Sequence, residues 1–287
     1  MSNLIKDLES RGLITPPAFI ADNLICLMIA GSESYGLNTS SSDRDIVGIC
    51  YPRIADIFPS AYGVIGGYDS FEPFKEYQQH HIQDGDREYD IKIYSLTRYF
   101  QLAEEGNPNI TDTLFTPRNC IIYSTPQYEL LREHRNIFLS KLAYPKYKGY
   151  AFSELKNIKN LKTGKRREGV EKLGYDAKNA GHIFRLINFI QMILEEEDLD
   201  LYRGREEVKN IRAGQYTFDE IVERFAEREL SIEKSYVNSK LRDKPRYDLI
   251  RHLLLQLIQM HYKEAQTKIN TNPDALKIEQ IRKILES

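Results

Sequence analysis

The stretch Gly31–Gly48, GSESYGLNTSSSDRDIVG, joins two apolar runs and decides how the first half of the chain folds. Residues 24–30, directly before it, are an unbroken apolar run that ends at a glycine, which is typical of a strand buried on both faces. Residues 45–50 are rich in β-branched side chains and end close to Pro52, so they predict a second strand. The polar residues between the two strands form the connecting turn.

Two aspartates, Asp43 and Asp45, stand one residue apart at the start of the second predicted strand. Residues i and i+2 of a strand point to the same side, so we expect the two carboxylates side by side. Like charges held that close repel each other, and a divalent cation is the partner that would compensate them.

A hard divalent cation takes about six oxygen ligands, so a further carboxylate is expected. Residues 89–94 alternate with period two, which predicts a strand with Asp90 and Lys92 on one face. On its own this pattern is also typical of a solvated sheet face. With the Gly-Ser turn and the Asp-x-Asp pair upstream, Asp90 becomes the candidate third metal ligand. His80 and His81 are predicted to lie in a loop and are not assigned to a metal.

The two parts of the chain differ in their hydrophobic pattern. Residues 1–125 mix strand-like runs with turns, whereas residues 126–287 have long helical periodicity and few strand signals. Further predicted strands lie at 62–66 and 119–123. Further predicted helices lie at 96–105 after a Ser95 cap, at 170–197, at 217–229 with a capping box of Thr217 and Glu220, at 247–266, and from Asn272 onward.

The composition argues against several classes of protein. The 287 residues carry 40 basic and 42 acidic side chains, so the net charge of −2 gives no overall attraction to nucleic acid. The three cysteines are far apart and lie in apolar runs, a spacing that matches neither a zinc site nor a disulfide framework. The sequence has no signal-peptide pattern and no apolar run of about 20 residues. We therefore expect a cytoplasmic protein with no membrane partner.

Three side chains share one face of the helix predicted over residues 170–197. Lys178, His182 and Arg185 fall at i, i+4 and i+7, and apolar residues line a neighbouring face. Such a stripe is most often simply solvated, and His182 could equally be a hydrogen-bonded core histidine. Lys and Arg beside a His also suit the triphosphate of a nucleotide.

A basic segment at residues 141–167 holds nine Lys and Arg side chains against the single acid Glu154, with tyrosines interleaved. Phosphate contacts combined with stacking aromatic rings are what a nucleic-acid groove uses. The alternative is a solvated helix whose tyrosines face the core. The candidate nucleic-acid contacts are Lys156, Lys159, Lys162, Lys165, Arg166 and Arg167.

The order of three motifs, Gly31-Ser32, Ser42-Asp43-Arg44-Asp45 and then Asp90, resembles that of the DNA polymerase beta superfamily of nucleotidyltransferases. The helix with Lys178, His182 and Arg185 makes the chain most similar to predicted nucleotidyltransferases associated with RNA repair, the RlaP family. Other matching stretches, which extend the resemblance over roughly residues 24–255, are Tyr35-Gly36-Leu37, Gly106-Asn107-Pro108-Asn109, Tyr175-Asp176-Ala177-Lys178, Ile211-Arg212-Ala213-Gly214-Gln215 and Ser239-Lys240-Leu241.

This resemblance implies an α+β protein. Residues 1–125 would be a polymerase-beta-type nucleotidyltransferase domain with a mixed sheet flanked by helices, and residues 126–287 a helical domain that contributes to nucleotide and acceptor binding. The implied reaction moves an NMP from an NTP to an RNA end, in RNA repair or tRNA modification, with release of pyrophosphate. The implied catalytic metal ligands, for Mg²⁺ or Mn²⁺, are Asp43, Asp45 and Asp90. The implied nucleotide contacts are Gly31, Ser32, Ser42, Lys178, His182 and Arg185.

One position departs from the family's pattern. The residue after Gly-Ser is commonly basic or His in relatives, whereas here it is Glu33, whose carboxylate would repel a phosphate. Two other functions therefore stay open. The first is nucleotidyl transfer to a small molecule or a protein, although a cationic antibiotic would want an acidic pocket rather than a basic segment. The second is a catalytically silent module that binds nucleotide or RNA, against which the intact aspartates argue.

Overall fold

A five-stranded sheet organises the first half of the chain in a computed structural model that describes residues 4–39, 42–62, 71–159 and 165–270. The strands are β1 (Leu24–Ile29), β2 (Arg44–Cys50), β3 (Glu76–Asp84), β4 (Arg87–Ser95) and β5 (Ile121–Ser124). Their order across the sheet is β3-β4-β2-β1-β5. Because β2 and β4 are parallel while the other neighbours are antiparallel, the mixed sheet implied by the sequence is confirmed.

Helices flank this sheet and make up most of the described chain after β5. They are α1 (Leu4–Ser10), α2 (Gly31–Ser34), α3 (Ile54–Ile57), α4 (Leu96–Glu104), α5 (Pro108–Leu114), α6 (Pro126–Glu133), α7 (Ala143–Asn157), α8 (Lys165–Leu173), α9 (Ala177–Glu196), α10 (Arg205–Arg212), α11 (Phe218–Asn238) and α12 (Tyr247–Asn270). None of the helices in this described part of the chain is both long enough and apolar enough to cross a bilayer.

The strands on either side of the Gly-Ser turn are confirmed. Every residue of β1 is buried, as expected for a strand covered on both faces. The strands predicted at 45–50 and 89–94 are β2 and β4, each slightly longer than predicted. The strand predicted at 119–123 is β5, which begins two residues later because a 3₁₀ turn precedes it. Of the strand predicted at 62–66, residues 63–66 lie outside the described residues.

The loop predicted around His80 and His81 is wrong, because both histidines lie on β3. The sequence of this strand, EYQQHHIQD, is polar because it is an edge strand with much of its surface exposed. A two-residue turn with Gly85 at φ 62° joins β3 to β4. The Asp84-Gly85 pair before a strand is the hairpin signal that reveals this element.

The continuous helix predicted at 170–197 is also wrong, because it is two helices. Gly174, at φ 75°, ends α8, and the Asp176 carboxylate accepts the backbone N–H of Asn179 to begin α9. The capping box of Thr217 and Glu220 opens α11 as predicted, although that helix continues to Asn238 rather than to residue 229. The helix predicted from Asn272 lies outside the described residues.

Two apolar clusters lie against the sheet. The larger one joins β1 residues such as Ile25 to α9 and α12 residues such as Phe184 and Leu257, so one core extends across both parts of the chain. The smaller cluster packs α1 against the sheet through residues such as Ile5 and Ile91. The predicted domain boundary falls between β5 and α6, and the division into two domains stays a prediction.

A buried ion pair connects α5 to α9. The Arg185 guanidinium donates to the Asp112 carboxylate at 2.7 Å, and the two residues are only 8% and 3% exposed. Asp112 also accepts hydrogen bonds from the hydroxyls of Tyr35, at 2.7 Å, and Tyr147, at 3.2 Å. The guanidinium carbon of Arg185 lies 3.7 Å from the centroid of the Tyr35 ring. Hydrogen bonds from several elements therefore offset the cost of burying these charges.

We expect the Asp112→Ala variant to lose about 3–5 kcal/mol of unfolding free energy, because the substitution leaves the Arg185 charge buried and without its carboxylate. Chemical denaturation followed by circular dichroism measures this loss. The matched control is Glu171→Ala, which removes the carboxylate from the exposed Arg167–Glu171 pair and should cost about 1 kcal/mol or less. Equal losses in the two variants would contradict the structural role of the pair.

Candidate active site

Parallel pairing of β2 with β4 brings two of the predicted carboxylates together. Asp45 lies directly opposite Asp90 in the register of the two strands, so both side chains leave the sheet on one face. Asp43 is exposed and stands just before β2 begins. Asp43, Asp45 and Asp90 thus form an acidic edge of the sheet, next to the turn that follows β1.

Gly31 makes room for this edge. Its φ is +59°, and a Cβ atom at this position would lie 1.7 Å from Oδ2 of Asp45. A side chain at residue 31 would therefore displace the Asp45 carboxylate. The backbone N–H of Ala30 donates to the Asp45 carbonyl at 2.8 Å, which fixes the turn against β2. The Gly-Ser turn and the Asp-x-Asp pair are in this way parts of one local structure.

The charge of Asp45 is unfavourable in the protein alone. Burial raises the pKa of Asp45 above its ordinary value, and the nearby charges of Asp43 and Asp90 raise it further. Burial also acts to raise the pKa of Asp90, but hydrogen bonds from the His81 N–H and the His80 ring lower it overall. A bound cation would relieve the repulsion between these carboxylates. Oxygen ligands of this kind suit a hard divalent metal such as Mg²⁺.

His80 and His81, which the sequence pattern does not indicate as metal ligands, also lie at this edge. Nδ1 of His80 lies 3.1 Å from Oδ2 of Asp90. In the described part of the chain, His81, Glu88 and Asp90 form a group whose metal-binding atoms all lie within 4.8 Å of one another, and Asp43 and Asp45 are outside that group.

A cleft of about 440 Å³ lies between the acidic edge and α9. All the nucleotide contacts implied by the sequence line this cleft together with two of the aspartates, namely Gly31, Ser32, Ser42, Asp43, Asp45, Lys178, His182 and Arg185. A second hollow of about 340 Å³ lies beside Asp45 and is lined by Asp90 and His80. Tyr35 and Arg185 line both spaces, which therefore adjoin.

Glu33 does not face the cleft as an unpaired charge. Its two carboxylate oxygens accept hydrogen bonds from Nε and Nη2 of Arg44, at 2.9 and 2.8 Å. This bidentate pair neutralises the carboxylate. Arg44, between Asp43 and Asp45, is therefore the partner of Glu33, and the departure from the family's pattern does not place a free negative charge at the Gly-Ser turn.

The predicted cations of α9 differ in how far their charges are available. Lys178 is exposed at the start of α9, and no carboxylate is paired with it among the described residues. The charge of Arg185 is already paired with Asp112. Burial and the Arg185 charge lower the pKa of His182 to about 3, so its imidazole is neutral at pH 7. The Nδ1 atom of His182 lies 2.7 Å from Nη2 of Arg185, as expected of a hydrogen-bonded core histidine.

Arg212 is a cleft residue to which the sequence reading gave no role in nucleotide binding. Its guanidinium donates to the Leu37 carbonyl at 2.9 Å, and within the described residues it has no carboxylate partner. Burial, together with the Arg185 charge, lowers its pKa. Gly181 makes room for it, because a Cβ there would lie 2.7 Å from Cγ of Arg212. Only the match of residues 211–215 to the family pattern points to this position in the sequence.

The basic segment is only partly a free cationic surface. Lys148 is paired with Glu229 and Glu233 of α11. Lys156 is exposed on α7, and the ammonium of Lys159, beyond the end of that helix, lies 3.6 Å from the centroid of the Phe218 ring. Arg167 is paired with Glu171. Lys162 lies outside the described residues, and the side chains of Lys165 and Arg166 are not described.

Comparisons with solved structures give distant similarities. One is a nucleotidyltransferase-like protein from Exiguobacterium sibiricum 255-15, with 10% identity over 93% of this chain and 79% of that chain and a TM-score of 0.30. Another is the spectinomycin adenyltransferase AAD(9) from Enterococcus faecialis with ATP and spectinomycin, with 12% identity over 89% of this chain and 98% of that chain and a TM-score of 0.34. No curated protein sequence matches the chain.

A family model covers the sheet, the cleft and α9 together. The model of the RNA repair pathway DNA polymerase beta family, RlaP, matches residues 18–256. This match spans most of the chain and includes every residue that lines the cleft. The chain therefore belongs to the RNA repair pathway DNA polymerase beta family and is a nucleotidyltransferase.

Proposed function

We propose that this nucleotidyltransferase is metal-dependent and moves an NMP from an NTP to an RNA end. The observation that carries the proposal is the cleft in which the Gly-Ser turn and the aspartates face Lys178 and Arg212, two cations without a carboxylate partner among the described residues. A negatively charged ligand and a divalent cation together complement this distribution of charge. An NTP with its metal ions is such a ligand.

Asp43, Asp45 and Asp90 would hold Mg²⁺, for which Mn²⁺ would substitute. When bound, the metal would neutralise the α-phosphate and stabilise the attacking and leaving oxygens. Asp45 lies between the cleft and the second hollow, whereas Asp90 lines only the hollow. This difference supports a role for Asp90 on the acceptor side and for Asp43 on the nucleotide side.

The triphosphate would lie between the Gly-Ser turn and the helices. The small residues Gly31 and Ser32 let phosphate oxygens approach backbone N–H groups, and Ser42 lines the same wall. Lys178 and Arg212 would bind phosphate oxygens from the other side. Arg185, whose charge is paired with Asp112, would act as a positioning residue that holds Tyr35 and His182 at the wall of the cleft.

The acceptor is proposed to be RNA for two reasons. First, the description of the matched family names an RNA repair pathway. Second, α7, which carries Lys156, also contributes Tyr150 and Glu154 to the wall of the cleft. The second hollow, next to Asp90, would receive the terminal ribose. A nucleic acid bound by the basic segment would extend from the second hollow along the helical part of the chain.

Replacing Asp43 or Asp45 by Ala should abolish most turnover, because the variants lose a metal ligand. We expect pyrophosphate release from the preferred NTP to fall by several orders of magnitude, and excess EDTA to have the same effect on the unchanged protein. The free energy of unfolding should stay equal or rise slightly, since a repulsive carboxylate is removed. Asp243→Ala, at an exposed aspartate away from the cleft, is the control. Near-normal turnover in Asp43→Ala would refute the site assignment.

Lys178→Met and Arg212→Met should each weaken NTP binding by roughly 10- to 150-fold, since a charge-assisted hydrogen bond contributes about 1.5–3 kcal/mol. The measurement is the KM for NTP and the Kd for a non-hydrolysable analogue, alongside the melting temperature. Arg212→Lys should recover part of the affinity because it keeps the charge. Lys172→Met, at an exposed lysine in the last turn of α8, is the control. An unchanged Kd together with a lower melting temperature would mean that these cations are structural.

Binding of single-stranded RNA should be steeply salt-dependent, because each neutralised phosphate contributes about −0.7 to the slope of log K against log salt. Neutralising Lys156, Lys159 and Lys162 together, by substitution with Gln, should make that slope shallower by up to about two units. The affinity for NTP should not change. If the unchanged protein fails to bind RNA at low salt, the polynucleotide acceptor is wrong. If binding keeps its slope in the triple variant, the groove lies elsewhere, for example at Arg203, Arg205 and Lys209.

A further inference from the structure

The β3–β4 hairpin has an irregular step at the level of the acidic edge. Gln79 pairs with Ile91 and Ile82 pairs with Tyr89, so that both His80 and His81 stand opposite the single residue Asp90. This is a β-bulge, in which one strand has an extra residue. His81 has φ 55°, in the left-handed region that is uncommon for residues other than glycine, although Asn, Asp and His adopt it more often than most.

The bulge changes where the two histidines point. In a regular strand, successive side chains alternate between the faces, so only one of two adjacent histidines would reach Asp90. Here Nδ1 of His80 lies 3.1 Å from Oδ2 of Asp90. The backbone N–H of His81 donates to the other carboxylate oxygen at 2.8 Å, and Nδ1 of His81 lies 2.6 Å from Oε1 of Glu88.

The result is a set of nitrogen and oxygen donors at one spot. Potential metal-binding atoms of His81, Glu88 and Asp90 lie within 4.8 Å of one another, and the ring of His80 is a further donor at Asp90. The side chain of His81 is 82% exposed, and those of Glu88 and Asp90 are 34% and 22% exposed, so an ion can enter from solvent. Imidazole together with carboxylate suits first-row transition metals, whereas Mg²⁺ prefers oxygen ligands alone.

We propose that the bulge forms a second cation site, made of His81, Glu88 and Asp90, which takes a first-row transition metal such as Zn²⁺. This site differs from the oxygen site at Asp43 and Asp45 in its ligands and in the ion that it selects. The two sites have Asp90 in common, so an ion at the bulge sits beside the second hollow. The simpler alternative is an exposed hydrogen bond between His81 and Glu88 that binds no metal.

Titration of the full chain with Zn²⁺ alone tests this proposal by calorimetry. We expect one Zn²⁺ per chain to bind at the bulge when Mg²⁺, Mn²⁺ and nucleotide are absent. His81→Gly removes the imidazole without straining the left-handed backbone, and Glu88→Gln removes a carboxylate with little change of shape. Each variant should bind Zn²⁺ at least ~10-fold more weakly. X-ray absorption of the loaded protein should show a nitrogen ligand at about 2.0–2.1 Å.

Two controls separate this result from the proposed activity. His134→Ala removes an exposed histidine at the end of α6 and should leave Zn²⁺ affinity unchanged. Asp43→Ala should keep the Zn²⁺ site although it loses pyrophosphate release, and no nucleotide or RNA is present in the titration. The proposal is wrong if the unchanged protein binds no Zn²⁺, or if His81→Gly and Glu88→Gln both bind it as well as the unchanged protein does.

Discussion

The buried ion pair between Arg185 and Asp112 is the constraint on which the rest of the site depends. It fixes α9 against α5, and through Tyr35 it fixes both helices to the short helix that follows β1. Lys178 lies seven residues before Arg185 on the same helix, a rise of about 10 Å at 1.5 Å per residue. One interaction in the interior thus places a cation at the mouth of the cleft, facing the aspartates of the sheet.

The Asp45 carboxylate is held in the acidic edge at a cost in free energy. A glycine at residue 31 removes the steric barrier to the Asp45 carboxylate, and parallel pairing then sets Asp90 next to it. Burial and then the charges of Asp43 and Asp90 raise the pKa of Asp45, and a bound cation would relieve the repulsion between these carboxylates. A site of this kind lowers the free energy of unfolding, because its charges are arranged to bind a ligand rather than to stabilise the fold.

The sequence predicts the parts of the structure in which local pattern and burial agree. Both strands around Gly31-Ser32, the positions of Asp43, Asp45 and Asp90, and the caps of α4 and α11 follow from apolar runs, period two and capping residues. Lys178 is distant in sequence, and the family resemblance rather than spacing predicts its place near the aspartates, with which it lines the same cleft.

What the sequence did not predict depends on tertiary contacts. The edge strand β3 is too polar to be recognised by burial, and its bulge, which turns His80 and His81 toward Asp90, exists only in the pairing with β4. Whether a charged side chain is free to bind a ligand likewise depends on the groups that it contacts in the folded protein. Arg185 is hydrogen-bonded to both Asp112 and His182, whereas Arg212 has no carboxylate partner among the described residues.

In the proposed reaction, the cleft holds an NTP whose NMP goes to an RNA end. A single assay tests this: the protein is incubated with each α-labelled NTP in turn, Mg²⁺ and RNA of defined ends, and the label is then followed on a denaturing gel. We expect label from at least one NTP to become covalently attached to RNA, with pyrophosphate released in equal amount, and we expect Asp45→Ala to abolish the transfer. Label found only on protein or on a small molecule, or label on RNA in excess EDTA, would contradict the proposed reaction.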